Sequence, residues 1–517
     1  MNAALTSLGV SASWLLPALL LIPLAGSILV WLLPRSVADP AARLARLVTI
    51  ALLSLTALVA VALWIVVPSG TATIDYPWID EFGSRFRLAA NGLSLPMVLL
   101  TALLMPLGVI AMDRDTVTHR ASSYYALVLV LTGGMLGIFL AADILLFYLF
   151  WELMLIPLYF LIGVWGSGRG AAAGMTFVVY TMLGSLLMLV ALITVASAAG
   201  GTTYSVIVGS AAATPMSLTR QLLCFGAFAS AFLVKSALIP FHTWLPDAQA
   251  EGPPLAAMAL GVKVGTYGLI AVAYPLFPGA ALDPTVRLVL ASLGVLAVVY
   301  GSLVALVQPD FRRVMSYASV AHLGFVVLGI SAFTVGSLQG AMLVMVNAGI
   351  TTGGMFLLLG MLRRRITDDR FLALGGLARR MPLFAAVIVL FALANAGLPG
   401  TNGFVGEFLV LLGSFSRFPV LVLIATSGIV LAAAYLLWAV QRTIFGPEAA
   451  ADLSGVSDLS LREAGVMLCF VVAIIGLGLA PGAVLNRTEQ SVTAIINSVN
   501  VAAERPRVAD AAEGRGR

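Results

Sequence analysis

Phe232-Leu-Val-Lys-Ser-Ala-Leu-Ile-Pro-Phe-His-Thr-Trp-Leu-Pro-Asp247 sets a lysine, Lys235, in the second half of an apolar run that begins at Leu222. A proline, Pro240, then interrupts the run. At that depth in a bilayer a positive charge costs roughly 3 kcal/mol even on the cautious scales. A proline frees a backbone carbonyl one turn upstream and so offers the charge a polar neighbour. Membrane proteins build ion paths in this way, with an expensive ion beside a broken helix. The stretch therefore asks whether the rest of the chain spans a membrane.

Composition answers that it does. The 517 residues are 61% apolar and only 10% charged, against roughly 25% charged in a soluble domain. Apolar runs of about 18 residues or more recur from end to end, each long enough to cross a bilayer. The expected fold class is an all-α polytopic membrane protein without a separate soluble domain. Leu15–Leu33 has neither a basic region before it nor an A-x-A site after it, so it reads as a retained first span. Cys224 and Cys469 both sit in apolar runs, which excludes a disulfide framework and a cysteine-based metal or cluster site.

The net charge of +5 lies in short loops and collects on no face. That pattern is topology and not a nucleic-acid footprint. The 28 basic residues include only two lysines, Lys235 and Lys263, and both fall inside apolar spans. Arginine keeps its proton almost anywhere, whereas a desolvated lysine can lose one. A GC-rich genome would explain arginine in the loops but not these two exceptions.

Fourteen spans are expected, near 13–33, 46–67, 93–112, 123–141, 144–165, 172–196, 220–241, 254–275, 286–307, 313–332, 337–361, 383–412, 420–444 and 463–485. The longer connections are 68–92, with strand-like Tyr76-Pro-Trp-Ile, and the Gly/Ala/Thr-rich 197–219. Residues 486–517 form a polar tail expected to be partly disordered. Loops after odd-numbered spans carry 16 Arg and loops after even-numbered spans carry five. The positive-inside rule then sets both termini on the outer side.

Proline at a break marks the seventh span, at Pro240, and the twelfth, at Pro399. They are five spans apart, which suggests two inverted five-helix repeats, spans 4–8 and 9–13. The chain accordingly divides into spans 1–3 (1–122), a first half (123–275), a second half (286–444), a loop with span 14 (445–485) and the tail (486–517). Two unrelated proline kinks are the plain alternative.

Five titratable groups fall within spans: Glu152, Lys235, Lys263, His322 and Glu407. Asp143 lies at the boundary between spans four and five, and His242 just after the Pro240 break. Each of the five has a bland reading, as half of a structural ion pair, a snorkelling lysine or a hydrogen-bonded core histidine. Five such groups on five helices, in a chain that otherwise keeps charge out of its spans, read better as a route. A lysine beside a carboxylate stays charged, and one drawn away from it tends to lose its proton, which makes such a pair a proton switch. Moving one proton against 100 mV costs about 2.3 kcal/mol, so an outside energy source is needed. No phosphate-binding loop, dinucleotide fingerprint or metal-spaced His pair supplies it.

Four strings carry a resemblance. They are Phe232 to Asp247, Ala259-Leu-Gly-Val-Lys263-Val-Gly-Thr-Tyr-Gly268, Gln308 to His322-Leu-Gly, and Leu398-Pro-Gly-Thr-Asn-Gly-Phe-Val-Gly-Glu407-Phe. The chain resembles the antiporter-like subunits of respiratory complex I, the bacterial proton-pumping NADH:quinone oxidoreductase, across spans 4 to 13. In that family the L and N types and many Mrp-type antiporter subunits usually carry Lys at the break of the twelfth span, where the M type carries Glu. Glu407 and the fourteen-span length, without the lateral helix of the L type, are similar to the M type. The resemblance implies a proton-translocating membrane-arm subunit of the bacterial plasma (inner) membrane. Its partners would be L- and N-type neighbours, with quinone reduction and NADH, FMN, Fe-S clusters and quinone in other subunits. It implies no cofactor or metal in this chain. It implies Glu152 paired with Lys235 as a switch, Lys263 as central relay, His322 as link to the second half and Glu407 as terminal proton site. Gln249 and Gly252-Pro-Pro254 depart from the more usual His and Ala-Pro-Thr, so the loop after span seven and His242 stay without an assigned role. An Mrp-type cation/proton antiporter subunit and a membrane subunit of a hydrogenase-type complex share most of these motifs.

Overall fold

The structure, a computed structural model, describes residues 12–33, 39–67, 70–112, 117, 119–213, 216–366, 370–371, 374–447 and 456–514. The elements are α1 (Ala12–Trp31), α2 (Asp39–Val66), β1 (Ala72–Ile79), β2 (Ser84–Ala90), α3 (Ser94–Ala111), α4 (Ala121–Leu140), α5 (Ile144–Trp165), α6 (Gly170–Ala199), α7 (Tyr204–Ala213), α8 (Leu218–Lys235), α9 (Trp244–Glu251), α10 (Pro254–Leu260), α11 (Val264–Gly268), α12 (Pro284–Leu306), α13 (Phe311–Ala332), α14 (Val335–Arg365), α15 (Pro382–Asn395), α16 (Asn402–Phe415), α17 (Pro419–Val440), α18 (Leu461–Leu479) and α19 (Gly482–Gly514). Among the described residues thirteen spans are long and apolar enough to cross a membrane, and the shorter apolar pair α15 and α16 stands where the twelfth was expected. The fold is therefore the expected all-α polytopic one, with one two-stranded antiparallel hairpin as the exception.

Burial separates the spans into a centre and a rim. Almost every residue of α13 and α14 is inside, whereas α2 and α18 turn most of their surface outward. Helices apolar on all sides suit both positions, one against protein and the other against lipid. In hydrocarbon, helices associate chiefly by close packing, so small residues line the tightest contacts. A Cβ at Gly324 of α13 would strike the Gly294 carbonyl of α12, and one at Gly340 of α14 would strike the Val410 amide of α16.

Three spans are broken, one more than the prolines mark. The seventh opens at Ser236–Thr243 between α8 and α9, and the twelfth at Ala396–Thr401 between α15 and α16. The eighth opens at Gly261–Lys263 between α10 and α11, and a π-helical turn follows at Leu269–Ala273. No proline stands at that third break, which begins at Gly261. Nor does proline always break a helix here. Pro17 and Pro23 in α1, Pro106 in α3 and Pro157 in α5 lie inside continuous helices. This corrects the reading of proline as the mark of a broken span: inside a bundle, neighbouring helices and local adjustments satisfy the freed backbone groups.

Connections sort onto two faces. On one, the hairpin, the start of α5, the 200–205 turn and α19 touch one another, through Ser84 to Asp143, Thr202 to Asp143 and Arg487 to Val67. On the other, Arg46 reaches the end of α3 and Arg313 reaches Asp247. Loops after even spans meet even, and odd meet odd, as alternate crossing requires.

The tail departs from expectation. Gly482–Gly514 is one helix, not a partly disordered segment. Val484, Thr488, Val492, Ile496 and Val499 recur at three- and four-residue steps and are all buried, which gives the polar segment one docking face. Ser491 accepts from the Gly92 N–H, and Leu485 O accepts from Gln339.

Candidate functional site

Lys235 ends α8, at the first break. The break is held from the far side, because Trp244 Nε1 donates to Val234 O at 2.9 Å. The freed backbone therefore does not serve the lysine. Among the described residues Lys235 Nζ is buried with no hydrogen-bond partner. It stands instead over two rings, 5.4 Å from the Trp151 centroid and 5.1 Å from that of Phe177. Aromatic faces hold a desolvated cation by their quadrupole, worth about 2 kcal/mol or more.

Glu152 follows Trp151 on α5 and lies within electrostatic reach of Lys235. No ion pair within 4 Å joins them, and among the described residues Glu152 Oε1 is buried without a hydrogen-bond partner. The two are neighbours with a gap between them. Tyr148, one turn earlier on α5, is also within electrostatic reach of the Glu152 carboxylate.

Lys263 occupies the eighth-span break itself, with φ −87° and ψ 66°. It is 4% exposed, and Nζ has no hydrogen-bond partner among the described residues. A cavity of about 20 Å³ is lined by Lys235, Ser236, Trp244, Lys263, Gly265 and Leu323, among others. That volume accommodates about one water molecule. The two lysines of the chain thus face one small enclosed space.

His322 of α13 and Glu407 of α16 form the direct contact of the second half, with Nδ1 and Oε1 2.8 Å apart. Both are buried, and His322 Nε2 has no hydrogen-bond partner among the described residues. A second cavity, of about 10 Å³, adjoins them and is lined also by Asn347, Thr351, Asn395 and Gly403. The structure brings Lys235 to Lys263 and His322 to Glu407, and it sets Glu152 beside the first pair.

His242 packs edge-on against Tyr300, ring centroids 5.2 Å apart, and lines neither cavity. Gln249 is fully buried. Its backbone carbonyl and that of Gly252 accept from Arg312 at 3.2 and 2.8 Å, which ties the loop after span seven to α13.

Sequence reading missed several groups. Asn347, Asn395 and Asn402 are neutral, so a search for titratable groups passed over them, yet an amide inside an apolar span carries the same signal more weakly. Asp143, already placed by the sequence at the boundary of spans four and five, is fully buried and accepts from Ser84 Oγ, Arg85 N, Leu145 N, Leu146 N, Thr202 Oγ1 and Thr203 Oγ1, a role the sequence did not reveal. Glu463 pairs with Arg364 and Arg365. The string Ser460-x-x-Glu463 before an apolar run is a capping-box signature and would have located it.

Comparison with known proteins bears on this arrangement. Residues 141–432 match the family model described as NADH:quinone oxidoreductase/Mrp antiporter, TM. NADH-quinone oxidoreductase subunit M of Rhodobacter capsulatus is 38% identical over 436 residues, covering 82% of this chain and 84% of that one. Among solved structures, a chain of respiratory complex I from Thermus thermophilus with bound NADH aligns at TM-score 0.84 and 30% identity, covering 94% of this chain and 99% of that chain. A chain of the Mrp complex from Dietzia sp. DQ12-45-1b shares the fold, at TM-score 0.79 and 20% identity over 95% of this chain and 56% of that one. On the family model and these relatives, the chain belongs to the NADH:quinone oxidoreductase/Mrp antiporter family of membrane subunits, in its subunit M group.

Proposed function

We propose that this chain is a membrane-arm subunit of a bacterial NADH:quinone oxidoreductase and translocates protons, driven by quinone reduction in other subunits. One observation carries the reading: Lys235 and Lys263 are buried, lack hydrogen-bond and carboxylate partners among the described residues, and face one water-sized cavity. An ion serving as helix glue is paired, because an unpaired buried charge costs several kcal/mol. Unpaired lysines of this kind suit groups that change their proton occupancy during a cycle.

In the reading, Lys263 is the central relay, reached from the inner side. Glu152 and Lys235 respond to the charge state of a neighbouring subunit, and the gap between them is the coordinate that opens and closes. His322 passes the proton to Glu407, the terminal site. Spans 4–8 and 9–13 are two inverted repeats, supported by the matching breaks in spans seven and twelve. NADH, FMN, Fe-S clusters and quinone belong to other subunits, this chain holds no cofactor, and its neighbours are L- and N-type subunits. Both termini face the outer side of the plasma membrane, following the Arg bias of the loops after odd spans.

Membrane vesicles carrying Lys235→Ala or Glu407→Gln test the reading, with the assembled complex quantified. NADH-driven quinone reduction and proton uptake are followed together. Loss of both with assembly intact is expected. Unchanged rates would reduce the charges to helix glue, and normal NADH oxidation with lost sodium tolerance would indicate an Mrp-type antiporter.

A further inference from the structure

The His322–Glu407 contact has a third side that its two residues do not fill. It is made by α14, the most deeply buried span, through a side chain that no titratable-group search selects. Asn347 is 3% exposed and lines the small cavity beside His322 and Glu407. Its Nδ2 donates to the Asn402 carbonyl at the start of α16. That bond fixes the amide, and Oδ1, the free acceptor, has no hydrogen-bond partner among the described residues. Asn402 is 1% exposed, and neither polar atom of its side chain has a hydrogen-bond partner among the described residues. Thr351, one turn along α14, lines the same cavity but spends its hydroxyl on the Asn347 carbonyl at 2.8 Å.

Buried polar atoms are hydrogen-bonded in native proteins, to protein or to water. Here, among the described residues, the unpartnered Oδ1 belongs to Asn347, which lines a cavity of about 10 Å³, the size of one water. A buried water needs two to four polar partners, and Asn347 and Glu407 both line this space. We propose that Asn347 and Glu407 form a binding site for a single water or hydronium between α14 and α16, making Asn347 a positioning residue for proton transfer at Glu407. This rests on the proton-translocating reading above. The amide acceptor orients the water so that one of its hydrogens points at Oδ1, while its second hydrogen meets the Glu407 carboxylate or, once Glu407 is protonated, its lone pair accepts the acid proton. A proton arriving at Glu407 from His322 then has an ordered carrier to leave on.

The test uses vesicles holding the assembled complex with Asn347→Leu, Asn347→Ser and Glu407→Gln, assayed side by side for NADH-driven proton uptake. Asn347→Leu fills the same volume without polar atoms, and it is expected to slow uptake by about ten-fold or more. Asn347→Ser keeps a hydroxyl and leaves space for a second water, and it is expected to retain most of the rate. Full uptake in Asn347→Leu, with Glu407→Gln inactive, overturns the water site and leaves the proton route standing. Equal loss in the Leu and Ser variants also overturns it, since packing would then be the cause. If Asn347→Leu fails to assemble, Asn347→Ala against Asn347→Ser decides: Ser active with Ala inactive supports the site, and equal rates overturn it. Normal uptake in Glu407→Gln instead brings down the translocation reading itself.

Discussion

Lys235 and Asn395 are the last helical residues before the breaks of the seventh and twelfth spans, and the chain leaves both by the same hydrogen bonds. Ser236 N–H donates to Phe232 O and Ala396 N–H to Ala392 O, both at 2.9 Å. Ala237 and Gly397 then turn back onto Val234 O and Ala394 O, and Leu238 and Leu398 onto Leu233 O and Leu393 O. This is the Schellman pattern of a helix that ends through a left-handed residue, so both broken spans are stopped by the same turn. The two breaks differ where the chemistry sits. The first break carries an ammonium against two rings, and the second an amide that accepts from Thr352 Oγ1 and donates to Phe391 O.

The shared turn makes the same left-handed demand on its middle residue, and the two breaks meet it with different residues. Ala237 has φ 50° and Gly397 has φ 74°. A side chain in the left-handed region costs about 1–2 kcal/mol. Ala237→Gly relieves that strain and is expected to raise the thermal stability of the assembled complex, by less than about 1 kcal/mol once the freer unfolded chain is counted. Gly397→Ala adds the strain and sets a methyl 3.2 Å from Glu407 Oε2. It is expected to lower both stability and proton uptake. Thermal inactivation and uptake of the two variants check the pair, and opposite signs are required.

Asp143 holds the hairpin, the 200–205 turn and the start of α5 on one carboxylate. Replacing it by alanine leaves buried hydroxyls and N–H groups without an acceptor, each worth about 1–3 kcal/mol. Asp143→Ala is expected to destabilise by about 3 kcal/mol or more, while Asp143→Asn, which keeps one acceptor oxygen, costs less. Uptake per assembled complex should stay near normal, because Asp143 lies on a loop face. A normal melting profile in Asp143→Ala would refute the assignment.

How much of this was legible in the sequence differs by element. The span count, the breaks at Pro240 and Pro399 and the five titratable residues followed from hydropathy and from the cost of charge in lipid. The break at Lys263 did not, because Gly261 in an apolar run reads equally as close packing. Contacts were less legible than positions. Glu152 and Lys235 were expected to pair, but the ammonium found rings, and no periodicity foretells which face a neighbouring helix turns inward. The tail read as polar because its apolar residues are spaced for one helical face and are too sparse to raise the mean hydropathy.

The rings at Lys235 make a prediction that a carboxylate partner would not. Trp151→Leu removes the face beneath Nζ, a contribution of about 2 kcal/mol for a desolvated cation. Trp151→Phe keeps an aromatic face. Proton uptake is expected to fall by about ten-fold in the Leu variant and to stay within a few-fold of normal in the Phe variant. Equal rates in both variants would show that Lys235 does not depend on the ring.

Glu463 is the anchor of the last crossing. It is 1% exposed at the first turn of α18, and its carboxylate takes Arg364 at 2.9 Å and Arg365 at 2.6 Å from the end of α14. The Ser460 capping box accounts for its remaining hydrogen bonds. Removing one partner of a buried pair costs about 3–5 kcal/mol, because the other charges are left uncompensated. Here Arg365 keeps the Ser457, Asp458 and Met361 carbonyls as acceptors, so Glu463→Ala should cost about 2–3 kcal/mol, somewhat below that range. Arg365→Ala alone should cost less, since Arg364 still neutralises the carboxylate. In the double variant the penalties should fall short of their sum, as they do for residues of one network, by about 1 kcal/mol or more. Thermal unfolding of the four forms measures this. Strict additivity would mean that α18 is held by apolar contact alone, with the charges as bystanders.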